Sequence, residues 1–143
     1  VFVAGNSAGG YLAAFAALTP GRQDLQPGFE DADTSVSGAI CLYGYYGRTV
    51  HDDPDSTPAA HMHPDAPPFY LLHGHRDTVV PVEWGRAFAY ALAATSRQPV
   101  VWSEMPDAQH SFDFFASLRA QLVADRIEAF TAWVRSHEAR VPW

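Results

Sequence analysis

The opening stretch VFVAGNSAGGYLAAFAAL leaves the backbone few courses. Val1 to Ala4 is too short and too apolar for anything but a buried strand, while Ala8 to Leu18 is helix-forming, with large apolar residues at Leu12, Phe15 and Leu18. Only Gly5, Asn6 and Ser7 separate the two. So abrupt a turn forces unfavourable dihedrals on its central residue and presses backbone against backbone. Glycine is therefore expected as a steric requirement at Gly5 and Gly9.

The same turn lifts the Ser7 hydroxyl clear of the backbone and sets it beside the amino end of a helix, whose free amides can hold developing negative charge. G-x-S-x-G between an apolar strand and an alanine-rich helix is the sequence form of a nucleophile elbow. Gly and Ser in an ordinary loop are the alternative, and the flanking elements weigh against it. A lone serine is a poor nucleophile, so a base must take its proton and an acid must orient that base. Asp77 lies just past the third apolar run, in HGHRDTVVP, and His110 just past the fourth, in PDAQHSF. Other readings exist for both: Asp77 as a turn cap before Pro81, and His110 as an ordinary surface histidine. Asp107 and Asp113 are rival acids, but they flank the histidine loop itself. His73 and His75 are read as loop structure, because the acid needs a histidine presented from a separate loop.

Apolar runs and helical patterns alternate along the rest of the chain. Val36 to Tyr43, Phe69 to Leu72 and Pro99 to Met105 read as strands. Val82 to Ala94 reads as an amphipathic helix with Trp84, Phe88, Ala91 and Leu92 on one face. A last helix from about Ser117 to His137 turns Leu118, Leu122, Ile127, Phe130 and Trp133 or Val134 inward. Thr19 to Ser35 reads as a surface loop with a turn at Pro27-Gly28, and Gly44 to Pro68 as a long irregular connection with one short helix near Pro58 to His61. This rhythm predicts an α/β fold: a parallel sheet of about four strands with helices on both faces, and a site at the carboxyl ends of the strands.

Composition narrows the partners. All nine basic residues are arginine and sixteen acids bring the formal charge to −7, with no basic stripe, so neither nucleic acid nor an anionic surface is an expected partner. No stretch is long enough to span a bilayer, and no basic-then-apolar leader precedes the first strand. Cys41, the one cysteine, lies in an apolar run and reads as a buried thiol. The HDDPD run with His61 and His63 contains natural metal ligands, but nothing holds them on a rigid element, and a solvated acidic loop is the expectation. Tyr43, Tyr45, Tyr46, Phe112, Phe114 and Phe115 are candidates for an apolar acyl pocket or for plain core packing.

The chain order Ser7, Asp77, His110, and the segments GNSAGG, HGHRDTVVP and DAQHSF, resemble the alpha/beta-hydrolases, in particular the hormone-sensitive-lipase-like and related carboxylesterase branches. The resemblance spans essentially the whole chain. It implies Ser7 as nucleophile, Asp77 as acid, His110 as general base and the Ala8 amide as one oxyanion-hole donor. It implies hydrolysis of a small-molecule carboxylic ester through an acyl-enzyme, with no metal or organic cofactor. A non-catalytic module of the same scaffold, used for binding or assembly, is the competing expectation.

Members of that family have about eight strands, with the elbow after the fifth and a second oxyanion donor from an earlier HGG-type loop. Here the elbow follows the first strand, and the HGH of His73 to His75 belongs to the acid-bearing segment. Residues 1–143 are thus expected to form the carboxyl-terminal half of such a domain, feeble as an ester hydrolase by itself. The Val1 to Ala4 strand is expected to pair with an absent amino-terminal segment or another chain. Size-exclusion chromatography of this chain alone should show association; a dilute, stable, soluble monomer would count against the expectation.

Overall fold

The computed structural model describes residues 1–47 and 53–138. Its strands are β1 (Phe2–Asn6), β2 (Gly38–Leu42), β3 (Phe69–Gly74) and β4 (Val100–Met105), and its helices α1 (Ala8–Leu18), α2 (Val82–Thr95) and α3 (Leu118–Glu138). The strands form one parallel sheet in the order β1-β2-β3-β4. The expected α/β class and strand count both hold. Boundaries shift by a few residues: β1 runs on through Asn6, and β2 starts at Gly38, opposite Phe2, rather than at Val36. The loop after α1 carries a short 3-10 turn at Gln23–Leu25 that its composition did not announce. The expected short helix at Pro58–His61 is also a 3-10 turn, preceded by another at Pro54–Ser56.

Parallel neighbours need crossovers, and crossovers of one hand that step steadily across a sheet all fall on one face. Accordingly α1 and α2 share a single core, in which Ala13, Ala14 and Ala17 meet Phe88 and Leu92 over Ala39, Cys41, Phe69 and Leu71. The alternate strand residues Ile40, Leu42, Tyr70 and Leu72 face the other way and are covered by Val123, Phe130 and Val134 of α3. The period of two along β2 and β3 thus divides one sheet between two cores. Both strands are buried throughout. A wholly buried Leu71 or Phe69 contributes about 1.5–3 kcal/mol apiece. Cys41 is buried as expected, and burial raises its thiol pKa.

The helix faces depart from the expected ones where small residues take the inner positions. In α1 the buried stripe is Gly10, Ala13, Ala14, Ala17 and Leu18, and Leu12 stays 62% exposed. In α2 Gly85 faces the sheet, where a Cβ would stand 2.9 Å from the Trp102 ring. The buried face is therefore Val82, Gly85, Phe88, Ala89 and Leu92, and Trp84 is turned outward against Tyr45. Leu118 and Leu122 of α3 are exposed, Val123 takes the inner place, and of Trp133 and Val134 it is Val134 that is buried. Size, not hydrophobicity alone, decides which face lies down.

The tightest approach is at the start of α1. A Cβ on Gly5 would lie 2.1 Å from the Gly9 carbonyl oxygen, so Gly5 is a steric requirement. Gly9 is not: its own Cβ would meet only Asn6 Oδ1, at 3.9 Å. The second crowded position is Gly10, where a Cβ would stand 3.0 Å from the Leu42 carbonyl. Gly5→Ala should therefore lower stability by about 3 kcal/mol. Gly9→Ala should raise it slightly, by up to about 1 kcal/mol of helix propensity. Urea denaturation of the two variants tests the contrast, and equal losses would contradict this packing.

Candidate active site

The three residues singled out from the sequence lie on one rim of the sheet, at the carboxyl ends of β1, β3 and β4. Ser7 is the residue from which α1 starts, with φ 53° and ψ −121°. A non-glycine residue adopts such a conformation at a cost of about 1–3 kcal/mol. Its neighbours hold it there: the Ser7 amide donates to the Leu42 carbonyl at 2.9 Å, and its carbonyl accepts from the Gly10 and Tyr11 amides at 3.0 and 3.2 Å. A serine in this position usually turns its hydroxyl back onto the first helical amides. Ser7 makes no such bond, and its Oγ instead lies 2.9 Å from His110 Nε2.

His110 Nδ1 is 2.7 Å from Asp77 Oδ2. A carboxylate only accepts, so Nδ1 carries the proton and Nε2 offers its lone pair to the Ser7 hydroxyl. The other carboxylate oxygen, Asp77 Oδ1, accepts from the Val79 and Val80 amides at 2.9 and 2.8 Å. The Asp77 side chain is wholly enclosed, whereas that of His110 keeps 14% exposure, so the ion-forming pair is shielded while the imidazole stays reachable. The Ala8 amide opens α1 beside the Ser7 hydroxyl and is one of the first-turn N–H groups that no carbonyl of the helix can accept.

Register brings the two loops together. Gly74 at the end of β3 pairs with Met105 at the end of β4. Beyond that point the Arg76 amide donates to the Ala108 carbonyl at 2.9 Å, and the Thr78 amide and hydroxyl donate to Gln109 Oε1 at 3.2 and 3.1 Å. Asp107 is spent on an exposed ion pair with Arg76 at 2.9 Å. His75 is exposed beside Glu104 at 3.2 Å. His73, expected in a loop, is instead a buried member of β3. Glu104 is held down at about 2, chiefly by Arg86, which reaches it from α2.

A further network was not foreseen. Tyr43, just past the end of β2, is buried with φ 37°, and its hydroxyl donates to Asp113 Oδ1 at 2.5 Å while accepting from Asn6 Nδ2 at 2.9 Å. One oxygen thus ties the residue before Ser7 to the loop that carries His110. The Tyr43 ring meets the His110 ring edge-on at 4.7 Å and Phe112 at 5.2 Å. Burial, and then the Asp113 carboxylate, push the Tyr43 hydroxyl up to about 12. Asp113, a rival acid in the sequence, belongs to this network and not to His110. Polar side chains at the carboxyl ends of predicted strands were the signal that would have found Asn6 and Tyr43.

The aromatic candidates separate. Tyr46 stacks on Phe88 at 4.3 Å inside the core, while Phe114 and Phe115 are 74% and 77% exposed, leaving Tyr43 and Phe112 around His110. Two concavities, of about 440 and 380 Å³, both involve Pro99 and Trp133 and lie away from the Ser7 rim. His61 Nε2 is 2.7 Å from the Asp55 carbonyl. His51 and Asp52 of the acidic run lie outside the described residues. Among the described residues no cluster of three or more His, Cys, Asp or Glu side chains is suited to a metal, and no helix is long and apolar enough to cross a membrane.

No protein-family model matches the chain. It is 39% identical to the probable carboxylic ester hydrolase LipM of Mycobacterium tuberculosis, over 94% of this chain and 37% of that protein. It is 37% identical to esterase LipQ of the same organism, over 91% of this chain and 37% of that protein. The chain therefore spans well under half the length of the curated relatives it matches. The structure superposes on apo Thermogutta terrifontis esterase 2 with a TM-score of 0.81, at 22% identity, covering 93% of this chain and 55% of that one.

Removing the Tyr43 hydroxyl leaves Asp113 without its donor, so Tyr43→Phe should cost about 1–3 kcal/mol at pH 7. The sign with pH follows from the raised value: the folded-state proton is held more tightly than at the ordinary 10.0, so this contribution is complete below pH 10 and is lost as pH rises through about 12. Urea midpoints of wild type and Tyr43→Phe should differ most at neutral pH and converge toward the alkaline end. A constant difference across that range would contradict the bridge.

Proposed function

The chain belongs to the alpha/beta-hydrolase superfamily, among relatives that are carboxylic ester hydrolases, and from that premise we propose that it is the catalytic portion of a serine ester hydrolase. The observation that carries the reading is the unbroken series Ser7 Oγ, His110 Nε2, His110 Nδ1, Asp77 Oδ2, with links of 2.9 and 2.7 Å. In this proposal Ser7 Oγ attacks the acyl carbon of a small-molecule ester as His110 Nε2 takes its proton. The tetrahedral oxyanion collects beside the Ala8 N–H. Collapse breaks the ester C–O bond, and His110 returns the proton to the departing alkoxide. Water, activated by the same imidazole, then releases the acid and restores Ser7. Asp77 holds the imidazole in the tautomer this requires and stabilises its cation.

The Ala8 amide is one donor of the two that a tetrahedral intermediate ordinarily finds. We place the second on a segment that pairs with the open edge of β1, in keeping with the share of the relatives' length that this chain spans. By itself the chain should then turn over about a hundred- to a thousandfold more slowly than the whole protein.

In the full-length protein a fluorophosphonate probe should label Ser7 covalently, and Ser7→Ala should abolish the labelling. Asp77→Asn should keep the fold and lower kcat by about four orders of magnitude by favouring the wrong imidazole tautomer. Absence of Ser7-dependent labelling would favour a binding or assembly module on the same scaffold.

A further inference from the structure

None of the His73 surface reaches solvent. Its Nε2 lies 2.9 Å from the Val80 carbonyl oxygen and 3.3 Å from Asp77 Oδ2. Both are acceptors, so Nε2 carries a proton, directed at Val80 with the carboxylate beside it. Nδ1 is then a bare lone pair, buried with no hydrogen-bond partner. It faces α2 at Gly85, where a Cβ would stand 2.8 Å away, and the ring tilts against Trp102 with centroids 6.1 Å apart.

A buried acceptor without a donor is a standing penalty, and a leucine, as at Leu71 and Leu72, would fill the strand position without it. What the imidazole adds is one N–H, aimed at the loop that carries Asp77. That loop is the one whose Val79 and Val80 amides hold Asp77 Oδ1. Building on the hydrolase reading, we propose that His73 is a positioning residue for Asp77, an imidazole kept in the Nε2–H form that anchors the Val80 peptide and sets its N–H dipole against the carboxylate.

A second proton on His73 would have to sit on Nδ1, facing Gly85 with no acceptor, and burial accordingly lowers its pKa, opposed by Val80 and Asp77. The titratable groups on the loop side are Asp77 and His110. From β4 it meets Trp102, whose indole N–H is taken by Glu104, itself paired with Arg86 of α2. One carboxylate therefore has two imidazoles beside it, and the geometry reserves its charge for His110.

In the full-length protein, nitrogen-15 NMR of the histidines should show His73 as the neutral Nε2–H tautomer at neutral pH. His73→Leu should lower kcat about tenfold to a hundredfold with KM unchanged. Loss of the N–H dipole leaves the Asp77 charge less compensated, which favours the His110 cation. The acid limb of the kcat/KM profile should thus move to higher pH. His73→Gln, which returns an N–H near the lost one, should recover both. A cationic or Nδ1-protonated His73, a folded His73→Leu enzyme with the parental kcat and acid limb, or a His73→Gln no better than leucine would overturn the proposal. If His73→Leu does not fold, the tautomer and the glutamine variant decide. Labelling that survives Ser7→Ala would defeat the hydrolase reading instead, and the tautomer is read without reference to turnover.

Discussion

Contact between the backbones of Gly5 and Gly9 governs the arrangement of everything around it. A strand that passes into a helix at this separation must reverse within two residues, and Ser7 absorbs the reversal as a positive φ of 53°. Alanine at positions 13, 14 and 17 lets the rest of α1 follow its first turn down onto the sheet. The amino end of the helix then lies at the rim, and the serine hydroxyl projects from it instead of capping it. A looser junction would cost less strain and would lose that direction.

The strain at Ser7 is opposed by many small terms. Bonds from Leu42, Gly10 and Tyr11 fix its peptide groups, and Tyr43 fastens the preceding Asn6 to the histidine loop. Each such bond contributes about 0.5–1.5 kcal/mol net, enough in sum to outweigh one residue in an unfavourable dihedral region. Because β3 and β4 are neighbours in register, Asp77 and His110 inherit their separation from the sheet. The loops need little freedom, and the bonds from Arg76 and Thr78 remove most of it.

Much of the fold was legible because burial imposes periodicity. The runs at Gly38–Leu42 and Phe69 to Leu72 are apolar on both faces, as a doubly covered strand must be, and the positions of Ser7, Asp77 and His110 followed from placing polar residues at strand ends. The helix faces were less legible. Hydrophobic size pointed to Leu12, Trp84 and Leu118, whereas close packing selected Ala13, Gly85 and Val123, and nothing in a hydropathy pattern reports the distance between two elements. Tyr43 was hidden for a related reason: its partners Asn6 and Asp113 are 37 and 70 residues away and meet only through the third dimension. His73 looked like part of a loop because histidine is seldom written into a buried strand.

The one-way strand order carries a consequence for how the molecule comes together during synthesis. The α1 and α2 helices between β1 and β4 lie on one side of the sheet, so neither covers Ile40, Leu42, Tyr70 and Leu72. The cover that α3 gives them, Val123, Phe130 and Val134, follows all four strands in the chain. Apolar strand faces that wait on a cover so late in the chain are the kind of surface a holding chaperone binds.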